Sequence, residues 1–379
     1  MLMTLLCVLN TYTHSMRNLS FRTAFLVSVG LWIITVASRF AYNGLVFGFD
    51  YGLFHPDGSL YAFKTLTLMG LSQQEAGVQV ANWYAEHAYK LNSIEPASLF
   101  FDNNPQWVIY GTRLAYPIFS IPFVALIGMN GLLIVPALSY LILFIVVLLL
   151  GRHYGRINLS LAIVFAFSIS TTVGRWMLIN STDSLLVALA SMFTYLCVKK
   201  VDNKYWVSIA LTIVVVGSLT RFSLFLWLGF AFVLFTKKEW LRASLVSFTA
   251  IICFVPTLFL DFQAAVLPNE TESSLVIKTL KLPLSMAKMA FYDIAQLAVL
   301  DRVLLLTLSV GILLALKNFR TLSGRAFLAT LFMLWCTAGL NGTPGVNFRY
   351  ELPILSLLAW VIIDNFQFKP NSKYADTQT

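Results

Sequence analysis

NGLLIVPALSYLILFIVVLLL, residues 130–150, decides the class of this chain. The run has no charged residue, and at about 1.5 Å per helical residue it covers the roughly 30 Å hydrocarbon core of a bilayer. Outward from it the pattern recurs at about 23–41, 158–177, 183–198, 205–219, 222–236, 241–260, 301–316, 325–340 and 350–363. Inside a bilayer only helices and closed barrels satisfy their backbone polar groups, and apolar runs of this length are helical. Composition agrees. Of 379 residues, 58% are hydrophobic and 11% charged, against about 25% charged in a soluble domain, and the mean hydropathy is +0.78. The sequence predicts an all-α, polytopic transmembrane protein of about ten spanning helices, a single unit over residues 1–379.

The net charge of +9 would point to nucleic acid in a soluble protein. In a membrane protein Lys and Arg first report topology, so no nucleic-acid partner is expected. With the N-terminus cytoplasmic and 205–236 folded as a hairpin, the cytoplasmic side holds 15 of the 26 basic residues and 4 of the 17 acidic ones. Its short loops are all basic: Arg152 and Arg156, Lys199 to Lys204, Lys237 to Arg242, Lys317 to Arg325. A single helix over 205–236 would put two of these loops on opposite sides, so the hairpin is the expected form. Both termini are then cytoplasmic, and two long segments lie outside: 42–112, a first outer loop with interfacial helices, and 261–300. Residues 1–16 lack a charged n-region and a small-residue cleavage site, so no signal peptide is expected, and Met16 is an alternative start. Four isolated cysteines without CxxC or Cys/His spacing predict neither a disulfide framework nor a metal site.

Within the first outer loop, Ala76, Val80, Trp83, Tyr84, His87 and Leu91 recur at helical spacing, as in a helix lying on the membrane or on other helices. Pro117 and Pro122 predict a bent re-entry near the interface. In 261–300, Lys278, Lys281 and Lys288 fall near one face of a helix that Pro283 would kink. Such a face either rests on anionic lipid headgroups, with membrane lipids as its partners, or forms a phosphate-lined entrance to an outer site.

Four arginines stand at outer helix ends or turns: Arg113 before the second span, Arg175 at the end of the third, Arg221 in the hairpin turn and Arg349 before the last span. Any one of them reads as a snorkelling side chain or a helix cap, and Arg349 as half of a local pair with Glu351. Together, on the acidic side of the membrane, they suit a phosphate bound through directed hydrogen bonds. HPDGSLYAFKTLTLMG, residues 55–70, adds Asp57, His55 and Tyr61 on the same side. Asp57 is both a turn residue of Pro-Asp-Gly and a candidate general base, Asp50 in GFDYG is the alternative base, and Asp102 in FDNNP shares the turn reading. A carboxylate facing arginines suits attack of an acceptor hydroxyl on a carbon that carries a phosphate leaving group.

At these residues the chain resembles the GT-C superfamily of integral-membrane glycosyltransferases that use polyprenyl-phosphate sugars. DGSLYAFKTL supplies the acidic residue, Asp57, then an aromatic, Tyr61, then a helix. YGTRLAYP at 110–117, INSTDSLLVAL at 179–189, SLTRFSLFLWL at 218–228 and FRYELPILSLL at 348–358 resemble its later segments, in order. The resemblance spans about residues 20–363. It implies an inverting hexosyl- or pentosyltransferase at the outer face of a bacterial plasma membrane, with Asp57 as base. Substrate binding falls to Tyr61, His55, Arg113, Arg175, Arg221, Arg349 and Tyr350. The donor is a polyprenyl-phosphate sugar, the acceptor a glycan, lipid or protein, and neither metal nor cofactor is implied. Many members carry paired acidic residues where this chain has Asp57 and Gly58. The competing class is a transporter or flippase of a lipid-linked substrate, which would use the arginines without a base and would show internal repeats or mid-membrane charges; neither is present in the sequence.

Overall fold

The computed structural model describes residues 19–42, 56–87, 113–199, 203–265, 280–341 and 348–366. Among these residues every regular element is helical. The chain begins with α1 (Phe21–Tyr42), α2 (Pro56–Leu68) and α3 (Gln73–His87). The apolar run quoted above follows as α4 (Ala115–Ile127), a 3-10 turn (Gly128–Leu133) and α5 (Ile134–His153). Next come α6 (Ile157–Ile169), α7 (Thr171–Leu178), α8 (Asp183–Val198), α9 (Asn203–Ser218), α10 (Leu224–Thr236) and α11 (Trp240–Ala265). The chain closes with α12 (Leu282–Leu300), α13 (Arg302–Lys317), α14 (Leu322–Asn341), a 3-10 turn (Leu352–Ile354) and α15 (Leu355–Asn365).

These are the helices of a membrane protein. Their outward faces stay apolar: Leu26, Ile34, Leu126, Phe248 and Leu313 are each more than 60% exposed, the pattern of a surface facing lipid. Ten full-length spans are not what the described residues show. Three stretches, Phe21–Ala41, Ala115–His153 and Leu322–Gly339, are long and apolar enough to cross. Asp183–Val198, Lys204–Ser218, Leu224–Thr236, Trp240–Val255 and Leu352–Asn365 are shorter apolar helices.

Two of the expected spans depart from simple rods. The run 158–177 bends by 74° between α6 and α7. No proline causes the bend. Asp301 Oδ2 accepts from the Ser170 hydroxyl at 2.5 Å and from the Thr172 N–H at 2.8 Å, and Ser170 Oγ in turn accepts from the Val173 N–H at 3.1 Å as the cap of α7. The long stretch 115–153 also folds back on itself: the Tyr116 hydroxyl, at the start of α4, donates to the Leu132 carbonyl at 2.6 Å, beyond its end. Gly131 sits so close to the Phe123 backbone that a Cβ there would overlap it. The bend expected from Pro117 and Pro122 falls instead at Gly128, where φ is +66°, and Pro122 stays inside α4. Likewise Pro283 occupies the first turn of α12 and starts that helix instead of kinking it. Lys281 stands at its N-cap, and Lys278 lies outside the described residues.

The hairpin that the charges require is there. α9 and α10 are separate helices joined through Thr220 and Arg221, and Gly217 of α9 is in such close contact with the Trp227 ring of α10 that a side chain there would collide with it. Phe193 of α8 packs against both helices, with its ring centroid 6.0 Å from Trp206 of α9 and 4.8 Å from Phe230 of α10. Such aromatic pairs add about 0.5–1.5 kcal/mol each beyond area burial.

Helix ends sort into two groups. Leu19 N–H donates to Asn158, so α1 and α6 begin together. Arg156 donates to the Asp364 carbonyl at 2.9 Å at the end of α15, Lys237 to the Cys197 carbonyl at 2.8 Å at the end of α8, and Ser323 to Asp364 at 2.5 Å at the start of α14. These residues form the basic end. At the opposite end lie Arg39, α7, Asp183, Arg221, Asp301 and the turn 348–351, and that end holds the candidate site.

Candidate active site

Asp183 opens α8 and is 2% exposed. Its acidic side chain at the first turn complements the positive end of the helix. Three partners hold it. The Ser181 hydroxyl donates to Oδ2 at 2.8 Å, Arg349 Nε donates to the same oxygen at 2.9 Å, and Arg221 pairs with Oδ1. Arg221 comes from the turn between α9 and α10, and Arg349 from the turn before α15, so one carboxylate ties three distant chain segments. Burial, and after it the like charge of Arg349, push Arg221 down to about 10, which leaves it charged at neutral pH.

Aromatic faces cover both guanidinium groups. Arg221 stacks over the Tyr350 ring at 4.4 Å, and Arg349 over the Trp176 ring at 4.7 Å. Arg175 stacks over Trp176 as well, at 4.7 Å. Arg113 donates to the Tyr61 hydroxyl at 3.1 Å, and that hydroxyl lies 3.3 Å from Thr182 Oγ1, next to Asp183 in the chain. Arg113 is also close enough to act electrostatically on Arg221. A narrow cleft lined by Asp183, Arg221, Leu334, Thr337, Arg349 and Tyr350 opens at this point.

The structure therefore brings Tyr61, Arg113, Arg175, Arg221, Arg349 and Tyr350 together. Arg175 lies in the last turn of α7, the short helix beyond the 74° bend in the run 158–177. Arg349 does not pair with Glu351 but with Asp183. Asp57 lies in the first turn of α2, where Pro56 takes the first helical position in place of the expected turn; its side chain is outside the described part. Its backbone neighbour Gly58 is packed against the Asn180 side chain, which in turn donates to the Tyr84 hydroxyl at 2.5 Å. A Cβ at Gly58 would overlap that side chain, so the glycine permits the start of α2 to approach the segment leading into Asp183. Asp50, His55 and Asp102 lie outside the described residues.

Below the site, α3 buries Ala76, Val80 and Tyr84 and exposes Gln79 and Glu86, as its periodicity predicts. Leu91 and the His87 side chain are outside the description. A wider concavity of about 620 Å³ runs along α3 past Gln79, Asn82 and Trp83 to Met129. It is open, and the charged groups among its lining residues are the acids Glu75 and Glu86, which disfavour an anion, so the arginines are the candidate anion site. Sequence reasoning missed Asp183 and Trp176. The available signal was an acidic residue placed directly before an uninterrupted apolar run, in a chain with few carboxylates.

Asp183 is not a base in this arrangement. Its carboxylate is engaged by Arg349 at Oδ2 and faces Arg221 at Oδ1 as an ion pair. Its work is to orient the arginines, which can then present directed donors to an anion such as a phosphate. Compared with known proteins, the chain matches no family model, no curated protein and no solved structure, so its function is argued from this site.

Proposed function

We propose that this protein is an inverting glycosyltransferase that moves a sugar from a polyprenyl-phosphate donor to an acceptor hydroxyl at the outer membrane face. The observation that carries the reading is the convergence of Arg113, Arg175, Arg221 and Arg349, from four chain segments, beside the first turn of α2 where Asp57 stands. In this reading the shorter apolar helices also cross the bilayer, giving about ten spans. Both termini are cytoplasmic, and the membrane is a bacterial plasma membrane. The segments 42–112 and 261–300 lie outside.

Asp57 takes the proton of the acceptor hydroxyl as that oxygen attacks the anomeric carbon. The bond to the phosphate oxygen breaks on the opposite face. Negative charge grows on the departing phosphate, and fixed guanidinium groups stabilise that change more than they stabilise the bound donor. Asp183 keeps two of them aimed, and Tyr61 and Tyr350 fix the positions of Arg113 and Arg221.

The test is transfer by purified protein from a panel of radiolabelled polyprenyl-phosphate sugars. Transfer by the wild type, with a loss of about 10²–10⁴-fold in Asp57→Asn and an unchanged fold, supports the reading. Movement of a lipid-linked sugar across vesicles without any transfer would replace it with the transporter alternative.

A further inference from the structure

Beside the arginines, two buried carboxyl groups take no part in the reading above. Asp293 of α12 and Glu351 of the turn 348–351 are 4% and 1% exposed and lie within hydrogen-bonding reach of each other. The Phe348 N–H donates to Asp293 Oδ1 at 3.1 Å. Asp293 Oδ2 and Glu351 Oε1, both buried, have no donor among the described residues. Two ionised carboxylates in contact away from water repel each other, and a buried acceptor without a donor costs about 1–3 kcal/mol. One proton cures both faults, because the carboxylic acid O–H of one group donates to the carboxylate oxygen of the other.

We infer that Asp293 and Glu351 share one proton at neutral pH, and that this acid–carboxylate pair is the latch that fastens the turn carrying Arg349 and Tyr350 to α12. The turn has reason to need one. Phe348 stands at φ +59°, a left-handed conformation that a non-glycine residue keeps only when its surroundings hold it. Its N–H is the one that Asp293 grips. Glu351, three residues on, grips the same carboxyl, so both ends of the turn are fixed to one side chain and Arg349 is held between them.

The charged and ionisable groups around the pair come from several elements. Arg221, from the turn between α9 and α10, acts favourably on Glu351, and Arg349 and Tyr350 share its turn. α12 itself carries Lys288 and Tyr292, α14 brings Cys336 against Met286 of α12, α7 carries Arg175, and Asp301 follows the end of α12. In the segment 261–300 that we place outside the membrane, burial pushes Asp293 up to about 6 from its ordinary 3.8. The folded protein therefore keeps a proton that the unfolded chain releases. Stability from this source is present at low pH and is lost as pH rises through about 6, where the first of the pair's two protons leaves. Burial and the neighbouring Asp293 hold Glu351 well above the usual carboxylate range, so the second proton stays shared at neutral pH.

The inference is independent of sugar transfer and is tested without a substrate. Infrared spectra of detergent-solubilised wild type at pH 7 should contain a carboxylic-acid C=O band that is lost in both Asp293→Asn and Glu351→Gln. In Glu351→Gln the amide donates to Asp293 at any pH. Its melting temperature should stay flat from pH 5 to 9, while that of the wild type falls by several degrees. Absence of the acid band from the wild type at pH 7 overturns the shared proton, and this reading needs no variant to fold. A Glu351→Gln protein that keeps the wild-type pH slope overturns the latch.

Discussion

At one end of the bundle Asp183 holds Arg221 and Arg349 with side chains at most 9% exposed. At the other, Glu239 holds Lys237 at 3.2 Å and Arg242 at 2.9 Å with side chains 21–27% exposed. The composition is nearly the same, one carboxylate between two cations, but the circumstances are opposite. Exposed pairs contribute about 0–1 kcal/mol and are screened by salt. Buried ones carry a desolvation cost of several kcal/mol per ion, and their net worth is often no better than that of apolar residues. The basic end has a sufficient explanation in topology and in helix capping, as in Lys237 on the Cys197 carbonyl. The buried end does not. Stability alone gives no reason to bury two guanidinium groups under tyrosine and tryptophan rings, and the anion site proposed above supplies one.

The largest expected effect sharpens that contrast. Asp183→Ala leaves two buried guanidinium groups without their common partner, and it should lower stability by about 3–5 kcal/mol. The measurement is the unfolding midpoint in detergent at low and high salt. A loss under about 1 kcal/mol that vanishes in high salt would make the buried end no different from the exposed one.

Arg349→Ala comes next, at about 1.5–3 kcal/mol, the range of a hydrogen bond to a charged group, since Arg221 still neutralises Asp183. Arg349→Lys should fall between wild type and alanine, because lysine keeps the charge and loses the planar fork that both reaches Asp183 and stacks on Trp176. In the transfer assay the same order should appear in donor affinity and in the chemical step together. Donor affinity unchanged in both variants would reduce Arg349 to an anchor.

A third change probes how closely α2 reaches this end. Gly58→Ala drives a methyl group into the Asn180 side chain, with an overpacking cost of about 1–3 kcal/mol. Asn180→Ala should relieve it, so the double variant should be more stable than the sum of the two single losses. Strict additivity would mean that the start of α2 is not seated against the segment leading into Asp183.

How far the sequence revealed all this depends on whether the cause was local. Helices were legible because apolar runs and the face of Ala76, Val80 and Tyr84 are written in consecutive residues. The α9–α10 hairpin was legible because Lys199 to Lys204 and Lys237 to Arg242 demand one side. Four arginines were legible as residues at helix ends away from the basic loops, but the partner shared by two of them was not: Asp183 in STD reads locally as a helix start, and Arg349 meets it from 166 positions away. The bend at Ser170 was hidden for the same reason. FSISTTVG carries neither proline nor an interior glycine pair, and the carboxylate that fixes the bend, Asp301, is 131 positions distant from Ser170. Asp293 and Glu351 were separate acidic residues in the sequence, and only packing makes them a pair.

The smallest expected effect lies at the exposed end. Glu239→Ala removes the carboxylate between Lys237 and Arg242, yet each cation keeps a second interaction: Lys237 on the Cys197 carbonyl at the end of α8, and Arg242 over the Trp206 ring at 4.5 Å. Neither charge is stranded away from water, so no large desolvation penalty is uncovered. Stability should change by less than about 1 kcal/mol, and by less still in high salt. Removing a negative charge from a basic loop also strengthens the charge asymmetry that orients the chain. Cysteines placed singly at Asn92 and Asn203 should therefore be labelled from opposite sides in wild type and in Glu239→Ala alike. Labelling of both from one side in the wild type would undo the assignment of this end as cytoplasmic. A stability loss of 3 kcal/mol or more in Glu239→Ala would show instead that burial is not what separates the two triads, and the argument for an anion site at Asp183 would lose its main support.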